Sequence, residues 1–153
     1  MIWWLLLAWF PGQAGAPTTA AQHLQAGLNA RSQHQPDVEI AEFRKASELD
    51  PQLADAFFNL GAAYMEKREY GAAIAPLKRA LELNPDLPAA HQLLGYALLA
   101  QGYASEAIPH LEKAGAQDAL AIAQLETGRL SDAVVNFNAA LAENCAMEST
   151  APT

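Results

Sequence analysis

Residues 56–85 read AFFNLGAAYMEKREYGAAIAPLKRALELNP, and this stretch decides the fold. Its first half carries large and small side chains at helical spacing, namely Phe57, Leu60, Gly61 and Tyr64. A turn is predicted near Arg68, and a second amphipathic segment ends at Pro85, because proline cannot continue a helix. Gly61 and Ala73 are small enough to let two antiparallel helices approach closely. The stretch therefore predicts a helical hairpin.

The pattern recurs along the chain with a 34-residue period. Four columns keep this interval: Gly27, Gly61 and Gly95; Phe43, Leu77 and Leu111; Ala46, Ala80 and Ala114; Pro51 and Pro85. The interval then breaks, because the step from Ala107 to Ala133 is eight short of a period. The simplest interpretation is a fourth unit whose first helix, near residues 117–127, has lost about two turns.

These residues resemble the tetratricopeptide repeat, a 34-residue helix–turn–helix unit. The resemblance covers about residues 20–144 and implies an all-α fold, an α-solenoid (right-handed superhelix) of about four helical hairpins with seven to eight helices. The expected units are residues 20–53 (degenerate), 54–87, 88–117 and 117–144 (shortened), followed by a disordered tail at 145–153. The alanine-rich repeats with LELNP and SELDP ends look like those of bacterial periplasmic members of the family.

Residues 1–10, MIWWLLLAWF, are the only strongly apolar run, and the run is too short to span a bilayer. Residues 1–16 resemble a secretory signal peptide with small residues at its end, although no basic residue precedes the apolar run. Cleavage after Ala14 is chemically easier than after Ala16, which Pro17 follows. The expectation is a periplasmic or secreted protein if this segment is a signal. It is a cytoplasmic protein otherwise, with the segment a remnant of an upstream helix or the product of an incorrectly assigned start.

The composition excludes several classes of function. The chain has 9 Lys and Arg against 17 Asp and Glu, a formal charge of −8, and it has no basic run. A phosphate backbone would be repelled, so no nucleic acid is expected as a partner. The histidines lack the spacing of a metal site, so we expect no metal and no cofactor, and His23 and His91 share the packing position of Phe57. Paired carboxylates fit solvated helix faces, so no enzymatic activity is expected.

The resemblance implies a different kind of site, a concave groove lined by the first helices of successive repeats. Carrying the repeat register over gives the inward-facing candidates Leu24, Leu28, Arg31, Asp55, Phe58, Asn59, Ala62, Met65, Gln92, Tyr96 and Leu99. The lining is apolar with a few polar groups, which suits a surface that reads side chains of a peptide or a partner helix. Packing against the next repeat is an equally good explanation for each residue.

The lysine, arginine and asparagine clamp that some family members use for chaperone C-termini is absent. Asn59 fits one of its positions, but Leu24, Leu28, Ala89 and Leu93 occupy the other four. The leading prediction is therefore a protein–protein interaction scaffold that binds a peptide or helix of unidentified origin. Two alternatives stay open: an accessory region of a larger enzyme or secretion machine, and a homo-oligomer formed through an uncapped C-terminal repeat.

Overall fold

The computed structural model describes residues 19–149, with side chains up to residue 142. Within that range all regular structure is helical, in eight helices. They are α1 (Ala20–Ser32), α2 (Pro36–Leu49), α3 (Ala54–Glu66), α4 (Tyr70–Leu83), α5 (Pro88–Ala100), α6 (Ala104–Ala114), α7 (Gln117–Glu126) and α8 (Leu130–Ser149). Consecutive helices pack in four hairpins, and each hairpin stacks on the next, so the predicted all-α repeat fold is confirmed.

Each of the first three hairpins is closed by a glycine facing a large buried side chain. Gly61 on α3 lies against Leu77 on α4, and a Cβ added to Gly61 would be 2.5 Å from Cγ of Leu77. The corresponding pairs are Gly27 with Phe43 and Gly95 with Leu111. Phe43, Leu77 and Leu111 are completely buried. The glycine column and the Phe/Leu column of the repeat are therefore two sides of one contact.

The turn inside each hairpin has the same backbone conformation. One residue per turn has a positive φ, in order His34 (55°), Arg68 (60°), Gly102 (80°) and Gly128 (77°). A backbone N–H next to this residue bonds to a carbonyl of the preceding helix, as from Glu69 to Tyr64 at 2.9 Å. The shared turn places the second helix antiparallel to the first in every unit.

The fourth period is eight residues short because the end of α6, the connection to α7 and α7 itself are all shortened. α6 ends at Ala114, three residues earlier in the repeat than α4, because Gly115 adopts a left-handed conformation with φ 68°. α7 has 10 residues where α5 has 13. The prediction that the first helix of the fourth unit has lost about two turns is therefore wrong. α7 is only three residues shorter than α5, and the rest of the deletion lies in α6 and in the connection between α6 and α7.

The C-terminal helix is longer than expected. α8 extends to Ser149, so the prediction of a disordered tail is wrong for residues 145–149. Residues 150–153 and the proposed signal segment at 1–16 lie outside the described part of the chain. None of the helices described here is long and apolar enough to cross a membrane.

Candidate functional site

The first helices of the four hairpins form one layer. α3 contacts α5, and α5 contacts α7. α1 joins the layer through Nη1 of Arg31, which donates a hydrogen bond to Oδ1 of Asn59 on α3 at 3.0 Å. We call one side of this layer the first-helix face and define it by three rows of equivalent residues: Leu24, Phe58, Gln92 and Asp118; Leu28, Ala62, Tyr96 and Ile122; Arg31, Met65, Leu99 and Leu125.

The apolar residues of the first-helix face differ in exposure. Phe58, Met65 and Leu99 are half-buried and pack against the main core, which extends from α4 to α7. Leu28, Ile122 and Leu125 are exposed to 38%, 42% and 51%. A ligand can therefore touch both ends of the face without displacing core side chains, while its centre offers shallower contacts.

Arg31 holds the N-terminal end of the face together. Its Nε donates to Oε1 of Glu39 at 2.7 Å, and it lies 3.8 Å from Oε1 of Glu66. The Glu39 side chain is only 3% exposed, so its carboxylate needs this partner. Asn59 in turn donates from Nδ2 to the carbonyl oxygen of Asp55 at 2.8 Å. The guanidinium group of Arg31 on α1 thus links α1 to Glu39 on α2 and to Asn59 on α3.

Tyr96 connects the third and fourth hairpins. Its hydroxyl lies 3.3 Å from Oδ1 of Asp118 and donates to that carboxylate. Burial raises the pKa of Tyr96, and the negative charge of Asp118 adds to the effect. Beside this pair is an open cavity of about 280 Å³, which Gln92 and Gln117 also line. Gln92 and Tyr96 therefore sit together at a concave part of the surface.

Three residues of the face were missed from the sequence: Asp118, Ile122 and Leu125 on α7. The break in the 34-residue period concealed them. The signal was present, because Gly102 and Gly128 occupy equivalent turns and are separated by the same shortened interval as Ala107 and Ala133. Applying this shortened interval to α5 relates Tyr96 to Ile122 and Leu99 to Leu125.

Comparison with known proteins identifies the repeat. A family model described as TPR repeat matches residues 40–68 and 63–102. Residues 40–102 of this chain are tetratricopeptide repeats. Among curated proteins, none matches it significantly. The fold is one used for protein-interaction scaffolds, which are typically not catalytic.

Solved structures of other tetratricopeptide repeat proteins superpose on most of the chain. A crystal structure of MamA shares 27% identity over 85% of this chain and 81% of MamA, with a TM-score of 0.76. A second MamA structure shares 26% identity over 88% of this chain and 78% of that one, with a TM-score of 0.75. YrrB, titled a TPR protein with an unusual peptide-binding site, shares 23% identity over 78% of this chain and 66% of its own, with a TM-score of 0.73. The YrrB likeness shows the fold alone.

Acidic side chains lie on and beside the first-helix face. Asp55 and Glu66 are exposed on α3 next to the rows, and Asp118 on α7 is an exposed member of one row. Arg31 is the one cation among the twelve residues that define the face, and Glu39 and Glu66 already neutralise it. Carboxylates therefore outnumber cations at the face, in line with the formal charge of −8 for the whole chain.

Three of the four histidines lie elsewhere, between the helices of a hairpin, and the fourth, His34, is exposed in the first turn. His23 and His91 are buried, as the packing prediction required. Nδ1 of His23 is 2.6 Å from Oε2 of Glu42, and the equivalent atom of His91 is 2.8 Å from Nδ1 of His110. His91 donates from Nε2 to the carbonyl oxygen of Pro85 at 3.0 Å, so a neutral His91 accepts the proton of His110 at Nδ1.

Neither the pair of His23 and Glu42 nor the pair of His91 and His110 forms a metal centre. Over the residues that the structure describes, no group of three or more His, Cys, Asp or Glu side chains could hold a metal ion. The pair of His91 and His110 borders an open cavity of about 340 Å³ that Lys78 and Lys113 also line, and these ammonium groups disfavour a cation. The first-helix face is therefore the better candidate for function.

Proposed function

We propose that this protein is a scaffold that binds a segment of another polypeptide on the first-helix face. The observation that carries the proposal is a set of accessible apolar side chains at both ends of the face, Leu28 on α1 and Ile122 and Leu125 on α7. Half-buried apolar side chains on α3 and α5 connect the two ends. Isolated exposed apolar residues are ordinary on protein surfaces, but a connected row bordered by charge is typical of an interaction surface.

The dimensions of the face define the ligand. Neighbouring packed helices are about 8–10 Å apart, so four first helices span roughly 30 Å. That distance corresponds to about nine residues of extended peptide or about twenty of helix. An extended segment brings apolar side chains to both exposed ends of the face, near Leu28 and near Leu125.

The charge of the face defines the flanks of the ligand. Exposed carboxylates at Asp55, Glu66 and Asp118 border the apolar row, and Arg31 is already paired. A ligand with Lys or Arg beside its apolar anchors would gain favourable electrostatics, whereas acidic flanks would be repelled. The proposed ligand class is therefore an apolar segment with basic flanks, and its affinity should fall as the salt concentration rises.

A displayed library of random 12-residue peptides tests this proposal while the natural partner is still unidentified. The full chain should enrich peptides that combine apolar anchors with basic residues. Affinity for an enriched peptide should fall by about tenfold or more, or about 1.4 kcal/mol, when Ile122 and Leu125 are both replaced by alanine. Both side chains are largely exposed, so helicity measured by circular dichroism should be unchanged.

A matched control is Leu49→Ala. Leu49 is 54% exposed but lies at the end of α2, which is a second helix and contributes nothing to the first-helix face. This variant should bind the selected peptides as the original chain does. Equal loss of affinity in the control and in the α7 variant, or enrichment of acidic peptides, would contradict the proposal.

A further inference from the structure

The last helix carries an apolar stripe that nothing in the described structure covers. Its residues are Leu130, Val134, Phe137 and Leu141, exposed to 61%, 59%, 39% and 61%. The intervals of four, three and four residues place these side chains along one side of α8, as in the seam of a coiled coil. Val135, exposed to 66%, lies beside the stripe.

The same positions are covered in the second hairpin. Aligning the buried Ala133 of α8 with Ala73 of α4 relates the stripe to Tyr70, Ile74, Leu77 and Leu81. Leu77 and Leu81 are buried core residues, and Tyr70 and Ile74 pack against the same core. There the following first helix, α5, stacks on α4. The stripe on α8 is thus a stacking surface whose covering helix is missing from the described chain.

The N-terminal helix of a second copy is a poor cover for this surface. The residues with which α3 meets the preceding hairpin include the buried Ala63, and those of α5 include Ala90 and Ala97. The equivalent positions of α1 are Gln22 and Asn29, both polar and exposed. Stacking α1 on α8 would bury these two amides against Val and Leu side chains, at a cost in desolvation. Head-to-tail growth of the array is therefore disfavoured.

The stripe is instead complementary to itself. In an antiparallel pair of α8 helices, Leu130 of one copy lies opposite Leu141 of the other, and Val134 lies opposite Phe137. A small side chain then meets a large one, and both ends of the stripe meet a leucine, which favours close packing. A two-fold arrangement uses the same surface on both copies and closes at two chains.

We propose that the protein forms a two-fold homodimer through antiparallel packing of the α8 stripes. The four stripe residues and Val135 expose on the order of 500 Å² per chain, more than half of the roughly 800 Å² per partner of a standard interface. The salt bridge between Arg129 and Asp132, at 3.0 Å, lies within each chain and adds no unpaired charge to the interface. The first-helix face stays free in this dimer, so the protein would present two copies of it.

Sedimentation equilibrium on the full chain tests the proposal. A monomer–dimer equilibrium is expected, with no larger species as concentration rises. Replacing Val134 and Leu141 together by lysine should raise the dimer dissociation constant at least tenfold, because it places charge in the seam without touching the core. Leu49→Lys, at a comparably exposed site on α2, should leave the constant unchanged. A monomer at every concentration, a dimer indifferent to the α8 change, or open-ended polymers would each overturn the proposal.

Cysteine crosslinking tests the antiparallel register. In a Cys145→Ser background, a mixture of Leu130→Cys and Leu141→Cys chains should form a disulfide-linked heterodimer under mild oxidation. Each variant alone should stay uncrosslinked, because the two ends of the stripe are about 16 Å apart along the helix, beyond the reach of a disulfide. Crosslinking of Leu130→Cys alone would show a parallel pair and overturn the register. The Ile122 and Leu125 variants should dimerise normally, so failure of this proposal is separate from failure of peptide binding.

Discussion

Replacing Gly61 with alanine should weaken the second hairpin even though alanine is the better helix former. In the middle of a helix this exchange normally stabilises by up to about 1 kcal/mol. Here the new Cβ would be 2.5 Å from Cγ and 2.7 Å from Cδ2 of Leu77. Leu77 is completely buried, so its side chain cannot turn into solvent to make room. Overpacking of this kind costs about 1–3 kcal/mol, so the net loss should reach about 2 kcal/mol.

Urea unfolding followed by circular dichroism measures this change in the free energy of unfolding. Gly71→Ala is the matched control, because Gly71 is also helical but a Cβ added there would be 3.4 Å from its nearest contact, Oε1 of Gln101. The control should be neutral or slightly stabilising. If Gly61→Ala stabilises the protein as the control does, the close approach of α3 and α4 is not required, and the explanation of the glycine column fails.

A double-mutant cycle sharpens the result. Leu77→Ala alone should destabilise by about 2–5 kcal/mol, because it removes a fully buried leucine. Combined with Gly61→Ala, it should cost less than the sum of the two single changes, since the new methyl group enters the space that leucine vacated. A coupling of about 0.5–3 kcal/mol is expected, and strict additivity would contradict the direct contact.

Three further changes test other contacts of the fold. Arg31→Met should destabilise by about 1–3 kcal/mol in urea, because it leaves the buried carboxylate of Glu39 unpaired. Lys67→Met breaks only exposed ion pairs and should destabilise clearly less than Arg31→Met. Burial, His91 and nearby lysines lower the pKa of His110. The contribution of neutral His110 to the free energy of unfolding is therefore complete above about pH 6.5 and is lost as the pH falls toward the lowered pKa. In thermal melts from pH 7.5 to 5, His110→Gln should reduce the fall in melting temperature with pH. Thr19→Ala should cost about 0.5–2 kcal/mol by removing the capping box of α1, and loss of amide protection confined to the first turn would locate the effect.

The hairpin contacts could be predicted from the sequence because each repeat contains them again. Gly61 and Leu77 stand in columns that recur with one period, and the structure shows that the two columns touch. Helical periodicity and proline positions likewise sufficed for the first three hairpins. The fourth required a second, shorter interval, and a single left-handed residue, Gly115, sets where α6 stops. Such a local backbone choice leaves little trace in a hydrophobic pattern.

Side-chain pairing was harder to predict than backbone architecture. Arg31 shares a row with Met65 and Leu99, but its guanidinium turns to Glu39 because a buried carboxylate outcompetes solvent for it. The histidine contacts had a usable signal, since His23 and Glu42 are 19 residues apart, as are His91 and His110. Which of several polar groups a long side chain selects depends on burial, and burial emerges only after the helices have packed.

The mainly sequential packing of the helices also determines how the chain folds. Each helix contacts mainly the helix before it and the helix after it, so almost every contact closes a short loop. Short loops cost little entropy to close, and structure can therefore nucleate in any hairpin and spread by adding neighbours. Local topologies of this type fold quickly, typically in microseconds to milliseconds. By the same logic the first hairpin has one neighbouring hairpin among the described residues, so it should open first and exchange its amide protons faster than α4 and α5.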